Sequence, residues 1–157
     1  MIAEREAPYF EDYEVGQKFV SPARTVTETD VVNYCAISGN WHPLHADAEW
    51  VKTTMYGQRI VQGALVYTIA LGLTLPMPEI KGQTVANYGT DSLRFPKPIF
   101  INDTIHVEVV IEDKMDHRLG GMVCMRFDVI NQHGDLCSVF KVRAIMALRE
   151  GSAEKNS

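Results

Sequence analysis

The chain has 157 residues, enough for one domain that buries about two-thirds of its unfolded surface. Apolar residues make up 46% and charged residues 22%, ordinary proportions for a soluble globular protein. The net charge of -5, with no basic run to offset it, excludes a general nucleic-acid binder and leaves any anionic ligand to a local patch.

Met1-Ile2-Ala3-Glu4-Arg5-Glu6 lacks a basic segment followed by an apolar one, so no secretory signal is expected. Residues 1–16 carry charge, Pro8 and aromatics, and are expected to lie over the surface. Gln17 to Val20 is a short strand ended by Pro22. Thr27-Glu28-Thr29-Asp30 has the form of a capping box. Val31, Tyr34 and Cys35 follow it at helical spacing, and Ser38-Gly39 stops that helix.

Ser38-Gly39-Asn40-Trp41-His42-Pro43-Leu44-His45-Ala46-Asp47 then brings two imidazoles, an amide, a carboxylate and an indole into one connection. Pro43 is expected to deny this stretch a helix and to push His42 toward an extended conformation. Asp47 is placed to N-cap a short helix carrying Trp50 and Val51, which Tyr56-Gly57 breaks. Ile60 to Leu75 is the most apolar segment. It falls short of the ~20 residues of a membrane span, so it reads as a core helix, apolar on every side and buried all round. Gly63, Ala64, Ala70 and Gly72 permit close approach of another backbone or a ligand.

The second half changes character. Tyr88 to Phe95 is a strand closed by Pro96 and Pro98. Ile105, Val107, Val109 and Ile111 alternate with His106, Glu108 and Glu112, a period of two that means strand. Gly120-Gly121 marks a bend, Met125, Phe127 and Val129 alternate beyond it, and Asn131 to Asp135 is a turn. Phe140, Val142 and Ala144 complete a meander of four long strands. The tail 151–157 is polar and expected to be disordered. Cys35, Cys124 and Cys137 are odd in number and lack metal-ligand spacing, so they read as reduced cytoplasmic thiols. A buried helix followed by an antiparallel sheet is an α+β pattern, with the curved sheet wrapped around the helix in a single domain over 1–157 (core about 10–148). The sheet edges left over make a homodimer the expected assembly.

The loop 38–47, together with Gly57-Gln58-Arg59-Ile60-Val61-Gln62-Gly63-Ala64-Leu65, resembles the signature of the MaoC-like, hot-dog-fold (R)-specific enoyl-CoA hydratases and dehydratases. That signature reads roughly S-G-D-x-N-P-[IL]-H-x-D, then G-x-x-[IV]-[AV]-H-G-M. The similarity continues through Ser92-Leu93-Arg94-Phe95-Pro96-Lys97-Pro98 and Asn102-Asp103-Thr104. The resemblance implies a hot-dog fold, a homodimer or dimer of dimers, and a role in fatty acid metabolism through reversible hydration of a trans-2-enoyl thioester. The substrate is an acyl-CoA or acyl-carrier-protein thioester, with no metal, further cofactor or membrane partner. It puts His45 on the catalytic imidazole and Gly63 on the oxyanion-binding N–H, with Val61, Gln62 and Ala64 beside it and Trp41, His42 and Pro43 on the substrate side.

Departures accompany the match. Asn40 stands where the signature has its catalytic Asp, His42 replaces Asn, and Gln62 and Ala64 replace the His and Met. An amide orients water but accepts no proton at neutral pH. Either His45 is the sole base with Asn40 positioning the water, or Asn40 marks a homologue that binds thioesters without hydrating them. The two histidines do not share a helix with a Glu, which speaks against a zinc site. Trp41 reads equally as a tunnel wall or as core. Lys52, Arg59, Arg94 and Lys97 read as surface charges, one or two of them available to CoA phosphates. A thioesterase of this fold would place Asp or Glu on the long helix, and Gln62 to Leu75 contains neither.

Overall fold

A computed structural model describes residues 7–150. The tail 151–157 and residues 1–6 lie outside them. In chain order come β1 (Lys18–Val20), β2 (Arg24–Thr25), α1 (Glu28–Ser38), α2 (Pro43–Ala46), α3 (Gly63–Thr74), α4 (Pro78–Lys81), β3 (Thr84–Arg94), β4 (Thr104–His117), β5 (Gly120–Asn131) and β6 (Leu136–Met146). The antiparallel sheet runs β1-β4-β5-β6-β3, with β2 also on β4.

The two-residue periodicity has the expected outcome. Ile105, Val107, Val109 and Ile111 are fully buried along β4, and Phe127 and Val129 on β5 and Phe140 on β6 join them. A register shift between Ile111 and Asp113 breaks the β4–β5 ladder, and a bulge of this kind bends a strand. The concave side of the sheet takes Leu65, Val66, Ile69 and Ala70 of α3 into its core.

Three expectations need correction. The four long strands are not one meander: β4, β5 and β6 are, whereas β3 crosses to the far edge and pairs with β6. The α3 connection places β3 there, because a strand leaving the end of a buried rod emerges opposite the edge that β1 occupies. Nor is α3 buried all round. Ala64, Thr68 and Gly72, four residues apart, form an exposed stripe, since one open sheet covers only one side of a rod. The segment before β1 is not merely draped over the surface. Tyr13 is buried, and its hydroxyl donates to the Glu79 carbonyl at 2.9 Å.

The capping box at α1 forms. Thr27 Oγ1 accepts from the Asp30 N–H at 3.3 Å, and Asp30 Oδ2 accepts from the Thr27 N–H at 2.8 Å. Burial alone would raise the Asp30 pKa, but the Thr27 backbone, the Thr27 hydroxyl and the Arg24 guanidinium outweigh it and hold the carboxyl below its ordinary range. At the other end Gly39 adopts φ 72° and closes the helix in the left-handed region, which a residue with a Cβ enters only at a cost. Among the described residues no helix is long and apolar enough to cross a membrane.

Thr27→Ala is expected to cost about 1 kcal/mol in urea unfolding at neutral pH. The Asp30 contribution carries the sign of a depressed carboxyl. It is complete above the ordinary Asp range and disappears as pH falls through the lowered value, so the effect of Asp30→Asn should shrink in acid.

Candidate active site

Short-range bonds shape the loop after α1. Ser38 Oγ donates to the Tyr34 carbonyl at 2.6 Å and accepts the Asn40 N–H at 3.2 Å. Asn40 Oδ1 accepts the His42 N–H at 3.4 Å, and His42 Nδ1 accepts the Leu44 N–H at 3.2 Å. His42 is extended, as expected, with φ -57° and ψ 137°, yet Pro43 opens α2 rather than preventing it. At the first position of a helix the missing N–H has no intrahelical partner to lose, and the ring's fixed φ suits the turn. Asp47 Oδ1 accepts the N–H groups of Glu49 and Trp50 at 2.9 and 2.8 Å. That carboxylate therefore starts the short 3-10 turn Trp50–Thr53, close to its expected capping role.

α2 and the segment before α3 hold each other. The Ile60 N–H donates to the Leu44 carbonyl at 3.1 Å, and His45 Nδ1 lies 2.8 Å from the Ile60 carbonyl oxygen. A carbonyl only accepts, so Nδ1 carries the proton and the Nε2 lone pair is left unspent. The Val61 N–H donates to the Ile99 carbonyl at 2.8 Å, which anchors the entry to α3.

His45, Val61 and Gly63 line one cavity of about 340 Å³, with Val66, Phe95 and Cys137. Helix geometry leaves the first N–H groups of α3 without intrahelical acceptors, and the N-cap, Gln62, supplies no side-chain cap. The start of α3 thus offers backbone donors and a positive dipole end. A Cβ on Gly63 would lie 2.7 Å from Cζ of Phe95 and 2.8 Å from its Cε2, so the ring occupies the space that only glycine leaves open. Burial pushes the Cys137 thiol up to about 11, so it stays protonated near neutrality and is no nucleophile. The cavity therefore presents an imidazole with a usable lone pair, a set of N–H donors and walls that are mostly apolar apart from Tyr56 and Lys97. That set can move a proton and stabilise a developing oxyanion.

Of the remaining sequence-derived candidates, Lys97 also lines this cavity, and the others stand apart from its walls within the single chain. Trp41 is exposed. His42 meets His45 and Trp50 edge-on, at centroid distances of 6.2 and 6.1 Å. Ala64 faces solvent. Gln62 is 1% exposed, and its Nε2 donates to the Val31 carbonyl at 3.4 Å and to Cys35 Sγ at 3.0 Å. Its Oε1 has no partner among the described residues. Asn40 and Pro43 serve the loop and α2 as described. Lys97 pairs with Asp135, and Arg59 with Glu28 at 2.6 Å. Cys137 was invisible as a cavity residue in the sequence, because β6 brings it to the site from 74 positions beyond Gly63 (137 minus 63). Phe95 carried a signal, its place in the Ser92–Pro98 stretch. Among the described residues no group of three His, Cys, Asp or Glu is placed to hold a metal ion.

A sequence model of the family described as MaoC like domain matches residues 11–132. The (R)-specific enoyl-CoA hydratase of Rhodospirillum rubrum is 33% identical over 106 residues, covering 66% of this chain and 69% of its own length. The 3-hydroxybutyryl-CoA dehydratase of Methylorubrum extorquens is 31% identical over 121 residues, covering 75% and 73%. Protein MaoC of Klebsiella aerogenes is 34% identical over 106 residues, which is 68% of this chain but 31% of that relative. Among solved structures, the monoamine oxidase regulatory protein from Archaeoglobus fulgius superposes with a TM-score of 0.87 at 34% identity, covering 94% of this chain and 100% of that one.

Gly63→Ala is expected to displace the Phe95 ring and to lower stability by about 1–3 kcal/mol in denaturant melts. The same substitution made beside Phe95→Ala should cost far less, because the clash is gone. An equal cost in both backgrounds would mean the ring is not what demands glycine here.

Proposed function

The chain belongs to the MaoC-like domain family, and from that premise we propose that it is a hydro-lyase for the double bond of a trans-2-enoyl thioester. The substrate class is an enoyl-CoA or enoyl acyl-carrier thioester. The observation that carries this reading is the shared cavity of His45 and Gly63, with the His45 ring held by the Ile60 carbonyl in the tautomer that leaves Nε2 as the base.

The thioester oxygen is received at the start of α3, where the Gly63 N–H donates to it. His45 Nε2 takes a proton from water as the water oxygen bonds to the β-carbon. The electron pair of the double bond moves toward the carbonyl, and the enolate oxygen is stabilised by the helix-start donors. The imidazolium then returns its proton to the α-carbon, so the net change is addition of one water. Asn40 holds or orients the water without accepting its proton. A polarised thioester would make the β-carbon electrophilic enough for a single base to suffice, at a reduced rate.

A second reading has its own support. Asn40 Oδ1 is turned to the His42 N–H within its own loop, which fits a position that serves the loop alone, in a homologue that binds acyl thioesters without hydrating them. The proposed assembly is a homodimer, or a dimer of such dimers. The edge strand β3 leaves Val85 52% and Tyr88 61% exposed, and the small-residue stripe of α3 is uncovered.

Purified protein is expected to consume the absorbance of crotonyl-CoA. His45→Ala should lower kcat/KM by roughly 10²–10⁴, and Asn40→Asp should raise it if the amide limits the rate. Silence with crotonyl-, hexenoyl- and octenoyl-CoA, alongside tight binding of the same thioesters, would select the non-catalytic reading. Light scattering should give at least twice the chain mass, and Val85→Lys with Tyr88→Lys should return the protein to a monomer.

A further inference from the structure

A second apolar cavity, about 190 Å³, lies toward the far end of α3, lined by Leu71, Thr74, Ile80, Phe127, Val142 and Ala144. The same elements line both cavities in the same order. Along α3, Gly63 and Val66 face the first cavity and Leu71 and Thr74 the second. Along β6, Cys137 faces the first, and Val142 and Ala144 the second. Within β3, Thr84 and Asn87 face the second, while Phe95 just beyond it faces the first. Among the residues between the two sets are Tyr67 on α3, Phe140 on β6 and Thr90 on β3.

These three residues touch. The Tyr67 hydroxyl and Thr90 Oγ1 are 2.6 Å apart, and the Tyr67 and Phe140 rings meet edge-on with centroids 4.8 Å apart. Phe140 is in turn stacked on Phe127 at 5.0 Å, so the partition is backed on its far side. We infer that Tyr67, pinned by Thr90 and braced by Phe140, is a specificity-determining wall that ends the acyl site and restricts the chain to short acyl groups. This inference rests on the thioester reading of the first cavity.

The magnitudes agree with a short chain. Gly63 and Tyr67 are four residues apart, about 6 Å along a helix axis. Carbon–carbon bonds of about 1.5 Å allow roughly four or five of them between the carbonyl site and the wall. A longer acyl group has to displace a hydrogen-bonded phenol and two packed rings. With the phenol removed, the two cavities become one, and an apolar chain can extend toward Leu71 and Val142.

The test uses two series of thioesters of four, six, eight and ten carbons. Saturated acyl-CoAs report binding by calorimetry, and trans-2-enoyl-CoAs report turnover. The intact protein is expected to bind the four-carbon ligand best and to lose at least tenfold in affinity by ten carbons. Tyr67→Ala should reverse that order, improving the ten-carbon ligand tenfold or more, while Tyr67→Phe, which keeps the ring, retains the short-chain preference. If Tyr67→Ala does not fold, Phe140→Leu provides a milder opening of the same wall. Equal affinity for four and ten carbons in the intact protein would overturn the inference, and so would an unchanged order in the opened variants or no binding at any length. A shifted binding order with no turnover of any enoyl-CoA would uphold the wall and remove the hydration reading instead.

Discussion

Keeping twelve mostly apolar residues, Gly63–Thr74, out of water is the constraint on which the other elements depend. Such a helix gains little from one flat partner, so β4, β5 and β6 curve over it, and the break in the β4–β5 ladder at Ile111 and Asp113 accommodates the curve. The side chains that meet it there, from Ile105 to Phe140, are buried almost without remainder. Burial at about 25 cal/mol per Å² of apolar surface is the leading favourable term for a domain of this kind. One stripe of the helix is left over, and the smallness of Ala64, Thr68 and Gly72 keeps its exposure inexpensive.

The polar loop is organised against the beginning of that helix rather than along it. Four of its polar side chains are engaged nearby: Ser38 with Tyr34, Asn40 with His42, His42 with Leu44, Asp47 with the turn that follows. Only His45 reaches across the chain, to the Ile60 carbonyl. That one contact fixes ring orientation and tautomer together, and it does so with a backbone group that cannot be mutated away. An imidazole preorganised in this way has little left to reorganise when a proton moves.

Much of this was legible in the order of residues. The capping box, the left-handed Gly39 and the alternation in β4 are local signals, and each led to the element that formed. What escaped was long-range. No local pattern distinguishes a strand that pairs with its successor from one that pairs with the last strand, so the crossing of β3 to β6 was missed. Pro43 denies a bond inside a helix but suits a helix start, and the residue type alone does not separate the two. Cys137 reaches the site only because β6 returns beside α3, which is a property of topology. Gln62 shows the converse: the signature singled it out, and the fold buries it against α1, with no partner for its amide oxygen among the described residues.

The strand order also determines when the molecule can become itself. β6 is the last long strand in the chain and lies between β5 and β3, so β3 has no partner until residues 136–146 have been made. A chain emerging from synthesis carries the histidine loop and the apolar helix early, with nothing to complete the sheet. Closing a contact between positions as distant as Asp91 and Lys141 is slow relative to forming local turns. Exposed meanwhile are a greasy helix and an unpaired edge, the features that draw chaperones or promote aggregation in nascent proteins. The cavity is consequently among the last parts of the domain to come into being, because one of its walls, Cys137, arrives with that final strand.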